Sequence, residues 1–299
     1  MQVYDSVSEI IGKTPLVRLK GFGENLYGKC EFLNPSHSIK DRAAYAMIKK
    51  ALDEAHISKE TTIIECTSGN MGISLAMICA TLGLKIILTM PESMSIERRK
   101  MMALFGAKLE LTPASEGMKG AYERALALHK EIKNSFIPSQ FENLANKFAH
   151  RENTAVEILN DLDGKIDYFV AGFGTSGTIS GVGEVLKEKF ADKVKIIAVE
   201  PAASPLLSEG KAGGHKIQGI GANFIPKILN QSVIDEIQTI SNEDAITTAR
   251  ELALKNGLMV GISSGANVFI ASKIAKANPD KIIVTMLNDT AERYLSTDL

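Results

Sequence analysis

The sequence predicts an α/β fold of mostly parallel strands, arranged as two domains with a cleft between them. Three observations carry this. Short apolar runs of strand length alternate with longer runs of helical spacing. The alternation comes in two sets, one ending near residue 115 and the other starting near 166. Polar or glycine-rich loops follow several strands, where open α/β sheets place their ligands.

The strand-like runs are Thr62–Glu65, Lys85–Thr89, Lys108–Leu111, Tyr168–Ala171, Lys195–Val199 and Lys281–Thr285. Helical spacing covers about 71–82, 94–105, 117–132, 147–162, 177–190, 242–256 and 264–277. A further helical run starts at Arg42. With 299 residues and 45% apolar content, the chain can bury a sizeable core. Its net charge of −1 supplies no field that would favour nucleic acid or an acidic membrane. Cys30, Cys66 and Cys79 have no metal-type spacing, and their odd number suggests free thiols in a reducing, cytoplasmic compartment. No apolar stretch reaches the roughly 18 residues of a membrane helix, and the early Asp5 and Glu9 do not suit a signal peptide.

Lys40 lies in Asn34-Pro35-Ser36-His37-Ser38-Ile39-Lys40-Asp41-Arg42, a turn that runs into a helix. An ammonium gains nothing from the positive end of a helix dipole. Such a site favours the neutral amine that imine chemistry needs. The plain alternative is a solvated lysine on a surface helix.

Three loops follow strand ends. Thr67-Ser68-Gly69-Asn70-Met71-Gly72 offers backbone N–H groups at a helix start, which suits a carboxylate. Capping by Thr67 or Ser68 is the plainer reading. Gly172-Phe173-Gly174-Thr175-Ser176-Gly177-Thr178 fits G-x-G-x-x-G, and Glu200 ends a later strand, so a nicotinamide or flavin enzyme stays open. The hydroxyls of Thr175, Ser176 and Thr178 suit a phosphate monoester better than a pyrophosphate. In Met286–Ala291, Thr290 could meet a ring nitrogen or simply cap a helix. Gly261–Ala266 and Gly219-Ile220-Gly221-Ala222 could wall a site. His150 and His215 suit structural roles, Glu97–Lys100 a solvated helix face, and Met90, Met94, Met101 and Met102 core filling. An amine, a monophosphate cradle and a carboxylate loop on one scaffold are what a pyridoxal phosphate enzyme acting on an amino acid requires.

These motifs, with Ile11–Leu16, Met90–Ser95, Gln140–Asn143 and Glu292–Ser296, resemble the cysteine synthase (O-acetylserine sulfhydrylase) and cystathionine β-synthase family over nearly the whole chain. The resemblance implies fold type II, the tryptophan synthase β-like fold: two open twisted sheets flanked by helices. It implies a smaller mobile substrate-loop domain of residues 1–10 and 35–143, and a larger cofactor-phosphate domain of 11–34 and 144–299. It also implies pyridoxal 5′-phosphate, with Lys40 as imine anchor and α-proton base and Asn70 on the cofactor's 3′-oxygen. Gly174, Thr175, Ser176, Gly177 and Thr178 would cradle the phosphate, and Thr290 would face the pyridine nitrogen. Thr67, Ser68, Gly69, Met71, Gln140 and Gly219 would bind the substrate, with no metal.

The implied reaction makes cysteine from O-acetylserine and sulfide through an aminoacrylate, releasing acetate. A lyase or cystathionine β-synthase-like exchange of sulfide is the alternative, and an NAD(P)-dependent oxidoreductase a remote one. A homodimer and binding of the serine acetyltransferase C-terminal tail are implied partners. His37, Cys66, Met71, Asn223 and Ala291 depart from the usual residues, which leaves the donor and the nucleophile open.

Overall fold

The computed structural model describes residues 3–299; residues 1 and 2, part of the expected smaller domain, lie outside the described residues. Its strands are β1 (Leu16–Arg18), β2 (Leu26–Cys30), β3 (Thr62–Cys66), β4 (Lys85–Pro91), β5 (Lys108–Thr112), β6 (Ser135–Phe136), β7 (Tyr168–Gly172), β8 (Lys195–Pro201), β9 (Glu236–Ile240) and β10 (Ile283–Leu287). They form two sheets, ordered β5-β4-β3-β6 and β1-β2-β10-β7-β8-β9. Every pairing is parallel except β1 with β2. β4, β8 and β10 are buried almost end to end, so they read as continuous apolar runs rather than alternating ones.

The chain divides into two compact units. Unit 1 holds the described residues through Ile11 together with Lys40–Asn146, and unit 2 holds Gly12–Ile39 and Lys147–Leu299. Residue 11 and residues 144–146 thus go with unit 1, and 35–39 with unit 2. The reason is local. Ser38 forms a β-bridge with Asp289. The Ile39 N–H donates to the Asn288 carbonyl at 2.9 Å. Asn146 donates to the Gln140 carbonyl at 2.8 Å, and Ala145 packs in the core of unit 1.

In unit 1 the four-stranded sheet is covered by α1 (Lys40–Asp53), α2 (Asn70–Leu82), α3 (Ile96–Leu104) and α4 (Gly117–Glu131). Helix α2 has no polar stripe because Met71 through Cys79 are all buried. It ends at Gly83, whose φ of 69° is the left-handed conformation glycine takes most readily. Ser95 caps α3 by accepting the Arg98 N–H. Met90 and Met102 fill the core. Arg98 is also buried, so the expected solvated face is only partly solvated.

In unit 2 the helical stretch Leu144–Asp161 comprises α5 (Leu144–Ala149), a π-helical turn at His150–Thr154 and α6 (Ala155–Asp161). The unit boundary falls within α5. Then come α7 (Gly177–Phe190), α8 (Leu206–Glu209), α9 (Asn242–Asn256) and α10 (Ile262–Ala277). Strands β1, β2, β6 and β9 have no counterpart among the expected runs. β2 carries Gly28 and Lys29, which hide its apolar character. A Cβ at Gly28 would come within 2.8 Å of the Leu287 side chain on the neighbouring β10, which would have to shift to admit it. Lys29 is fully buried, donates to the Thr14 carbonyl and pairs with Glu157 at 2.9 Å. Replacing Lys29 by alanine would leave that carbonyl without its donor. A stability loss of about 3–5 kcal/mol in chemical denaturation is expected. A loss below about 1 kcal/mol would mean that water replaces the ammonium at no cost.

Candidate active site

Unit 1 holds Lys40 and the loop Thr67–Gly72. Lys40 opens α1 and Asn70 opens α2. One residue into α1, buried Asp41 accepts the Ser74 hydroxyl of α2 at 2.6 Å. That bond fixes the N-terminal ends of the two helices side by side. The loop from β3 into α2 contains Thr67 and Ser68. The N-cap of α2 is Gly69, with no side-chain cap bond, so neither hydroxyl serves the capping role considered from sequence. The Met71 side chain is buried among apolar residues, which leaves its backbone as the group it can offer a ligand. Gln140 is buried at the end of a loop that follows β6.

Glu65, the penultimate residue of β3, is 6% exposed. Its carboxylate accepts the N–H groups of Ser139 (2.9 Å) and Cys66 (3.2 Å), and the nearby Gln140 N–H also favours its charge. Burial pushes its pKa up to about 7, against the pull of those donors. Burial also pushes the thiols of Cys30 and Cys66 to about 11 and that of Cys79 to about 12. None of the three is therefore a thiolate nucleophile near neutral pH.

Unit 2 holds the phosphate-type loop. It runs from β7 into α7 through Phe173, Gly174, Thr175 and Ser176. Ser176 sits at φ 72°, turning successive N–H groups toward one side at the start of α7. Its hydroxyl is buried and, among the described residues, has no hydrogen-bond partner. A Cβ on Gly174 would lie 2.5 Å from the Gly219 carbonyl oxygen. The Gly221 N–H donates to the Phe173 carbonyl at 2.6 Å. The fold thus brings the 172–178 loop against the 219–221 loop. Thr178 lies 3.3 Å from the buried His150 imidazole, which also meets Thr154 at 2.9 Å.

At the end of β10, the Asn288 N–H donates to Ser264 Oγ at 2.8 Å, and its side chain to Ser263 Oγ at 3.1 Å. Ser263 is 2% exposed and faces Gly219 across 3.7 Å from the position a Cβ there would take. Thr290 bridges Val260 and precedes a short 3₁₀ turn that its side chain does not cap. Sequence reasoning placed Ser263 only within the Gly261–Ala266 stretch that could wall a site, and it passed over Glu65. Glu65 had one signal, an acid ending an apolar strand just before a polar loop.

The chain matches the model of the family described as pyridoxal-phosphate dependent enzyme over residues 7–289. It is 70% identical over 299 residues to cysteine synthase B of Campylobacter jejuni subsp. jejuni serotype O:2, covering 100% of this chain and 99% of that protein. The chain belongs to the cysteine synthase family of pyridoxal-phosphate dependent enzymes. Solved cysteine synthase from Entamoeba histolytica superposes with a TM-score of 0.96 at 42% identity, covering 99% of this chain and 90% of that one. A hydrogen sulfide-producing enzyme from Fusobacterium nucleatum superposes with a TM-score of 0.92 at 44% identity, covering 98% of this chain and 100% of that one.

The family membership fits the fate of Glu200. A nicotinamide site would need this carboxylate for a ribose. Glu200 is fully buried and accepts the Leu207 N–H (2.8 Å), the Ser208 N–H (3.0 Å) and the Ser208 hydroxyl (2.5 Å). Its acceptor capacity is consumed at the start of α8, so the oxidoreductase alternative loses its acidic partner. Among the described residues no helix is long and apolar enough to cross a membrane.

Proposed function

We propose that this chain forms L-cysteine from O-acetyl-L-serine and sulfide, releasing acetate. The full-length likeness to cysteine synthase B carries the reading, and the loops of both units support it. The residues fit the cofactor. A buried, unpartnered Ser176 hydroxyl at the start of a 14-residue helix suits a phosphate dianion. The crowded Gly174 leaves backbone, not side chain, to line the cradle. When bound, pyridoxal 5′-phosphate supplies an aldehyde for imine exchange and a ring that takes up the electron pair left by the departing α-proton.

In this reading Lys40 would hold the cofactor's aldehyde and, as a free amine, would take the substrate α-proton. Asn70 meets the 3′-oxygen. Thr67, Ser68 and Gln140, with the backbone of Gly69 and Met71, hold the substrate carboxylate, and Gly219 lines the site. Thr175, Ser176, Gly177 and Thr178 donate to the phosphate. Ser263 joins Thr290 as a hydroxyl for the ring nitrogen. Because Ser263 accepts from Asn288, its own proton is left to donate, which suits an unprotonated ring. A mobile smaller domain, a homodimer, the serine acetyltransferase tail as a ligand and a cytoplasmic location belong to the same reading.

A spectral titration tests it. O-acetylserine should shift the visible absorption of the holoenzyme and release acetate. Sulfide should then restore the spectrum and yield cysteine. Phosphoserine and serine, run beside it, should do little. No spectral response to O-acetylserine would sink the proposal. A second reading, release of sulfide from cysteine, is favoured by one observation. Exposed Asn223 puts an amide beside the Gly219–Gly221 loop, where its Oδ1 lies 3.4 Å from Ser204 Oγ. Sulfide release from cysteine alone, faster than cysteine formation, would select that reading.

A further inference from the structure

We infer that Glu65 is a positioning residue for the substrate carboxylate, acting by holding the backbone of Ser139 and Gln140 against the Thr67–Ser68 loop. The inference rests on the proposed role of Thr67, Ser68 and Gln140 as the carboxylate clamp. These residues come from distant stretches of chain: Glu65 and Ser139 are 74 positions apart. One side chain spans the gap. Glu65 is two residues before Thr67, and its carboxylate receives the N–H groups of Cys66 and Ser139, with the Gln140 N–H close enough to favour its charge. Both sides of the clamp therefore hang on the same carboxylate.

The backbone it holds is one that does not hold itself. Ser139 has φ 55°, a left-handed conformation that residues other than glycine adopt reluctantly. The turn after it is closed by the Glu142 and Asn143 N–H groups, both donating to the Ser139 carbonyl at 2.9 Å. Asn143 also donates to the Pro138 carbonyl, and Asn146 to that of Gln140. These bonds engage carbonyl groups. The Ser139 N–H is engaged by Glu65, and that of Gln140 lies near the same carboxylate. Without a full carboxylate, Ser139 relaxes toward negative φ and Gln140 turns with it. An amide in its place turns a donor toward one of those N–H groups. The loss therefore falls on substrate capture rather than on the steps carried by Lys40.

Steady-state kinetics of the holoenzyme variants E65Q and E65D test this, with S139G supplying the control that a purely structural role would not satisfy. E65Q and E65D should raise KM for O-acetylserine about tenfold or more while kcat stays within about threefold. Their affinity for pyridoxal phosphate, read by fluorescence titration, should match wild type. In the double variant E65Q/S139G, glycine takes the left-handed conformation unaided, so most of the lost affinity should return. A KM within twofold of wild type in both single variants overturns the inference. So does a raised KM that S139G leaves untouched. T67A and Q140A separate this outcome from failure of the underlying reading. If they raise KM and the Glu65 variants do not, only the role of Glu65 falls. If they too leave KM unchanged, the carboxylate clamp itself is wrong.

Discussion

Lys40→Ala is expected to lower cysteine formation by about 10³-fold to 10⁴-fold and to abolish the visible absorption of the bound cofactor. The proposed lysine has two jobs, and alanine can do neither. It can neither hold the aldehyde nor accept the α-proton. Lys40 is the first residue of α1, and only half-buried, so its removal leaves no cavity of consequence. Asp41 still receives the Ser74 hydroxyl, and Ala43, Ala44, Met47 and Ile48 still pack in the core of unit 1. The variant should therefore fold with near-native circular dichroism and denaturation midpoint. Retention of a tenth of wild-type activity, or of the cofactor band, would mean that another amine does the work.

Gly174→Ala is expected to weaken pyridoxal phosphate binding by about a hundredfold or more. The added Cβ would sit 2.5 Å from the Gly219 carbonyl oxygen, well inside contact distance. Both partners are backbone, so no flexible side chain can swing aside. Gly219 is itself at φ 99°, and two residues on the Gly221 N–H is bonded to the Phe173 carbonyl, which ties the two loops together. The clash must open the 172–178 loop away from the 219–221 loop and misplace the N–H groups at the start of α7. Fluorescence titration of the apoprotein with cofactor measures the loss. Gly214→Ala is the matched control, because nothing lies within 4 Å of its Cβ position, and its affinity should be unchanged. Equal affinity in the two variants would show that the close approach is not what shapes the cradle.

Most of the fold was legible from local signals. Helix α7 was readable at both ends, and α9 too, because Ser241 caps its start and Gly257 closes it in the left-handed conformation. β4, β8 and β10 were legible as apolar runs. β2 was not, because its pattern is broken by Gly28, closely covered by the Leu287 side chain, and by Lys29, paired with Glu157. β6 is two residues long, too short for any periodicity. His37, one of the departures from the usual residues, has φ 61°, a conformation that glycine takes more readily.

By itself the sequence determined the α/β class, the loops that follow β3, β7 and β10, and the lysine at the start of α1. These depend on residues within a few positions of one another, through side-chain period, capping and turn chemistry. Tertiary structure alone decided which polar groups were already spent. Glu200, poised in sequence to meet a ribose, gives its oxygens to Leu207 and Ser208. Among the described residues, the buried Ser176 hydroxyl has no partner. Glu65, unremarkable in sequence, joins β3 to Ser139. A buried carboxylate or hydroxyl must find partners wherever the fold brings them, and no local pattern records a partner 74 residues away.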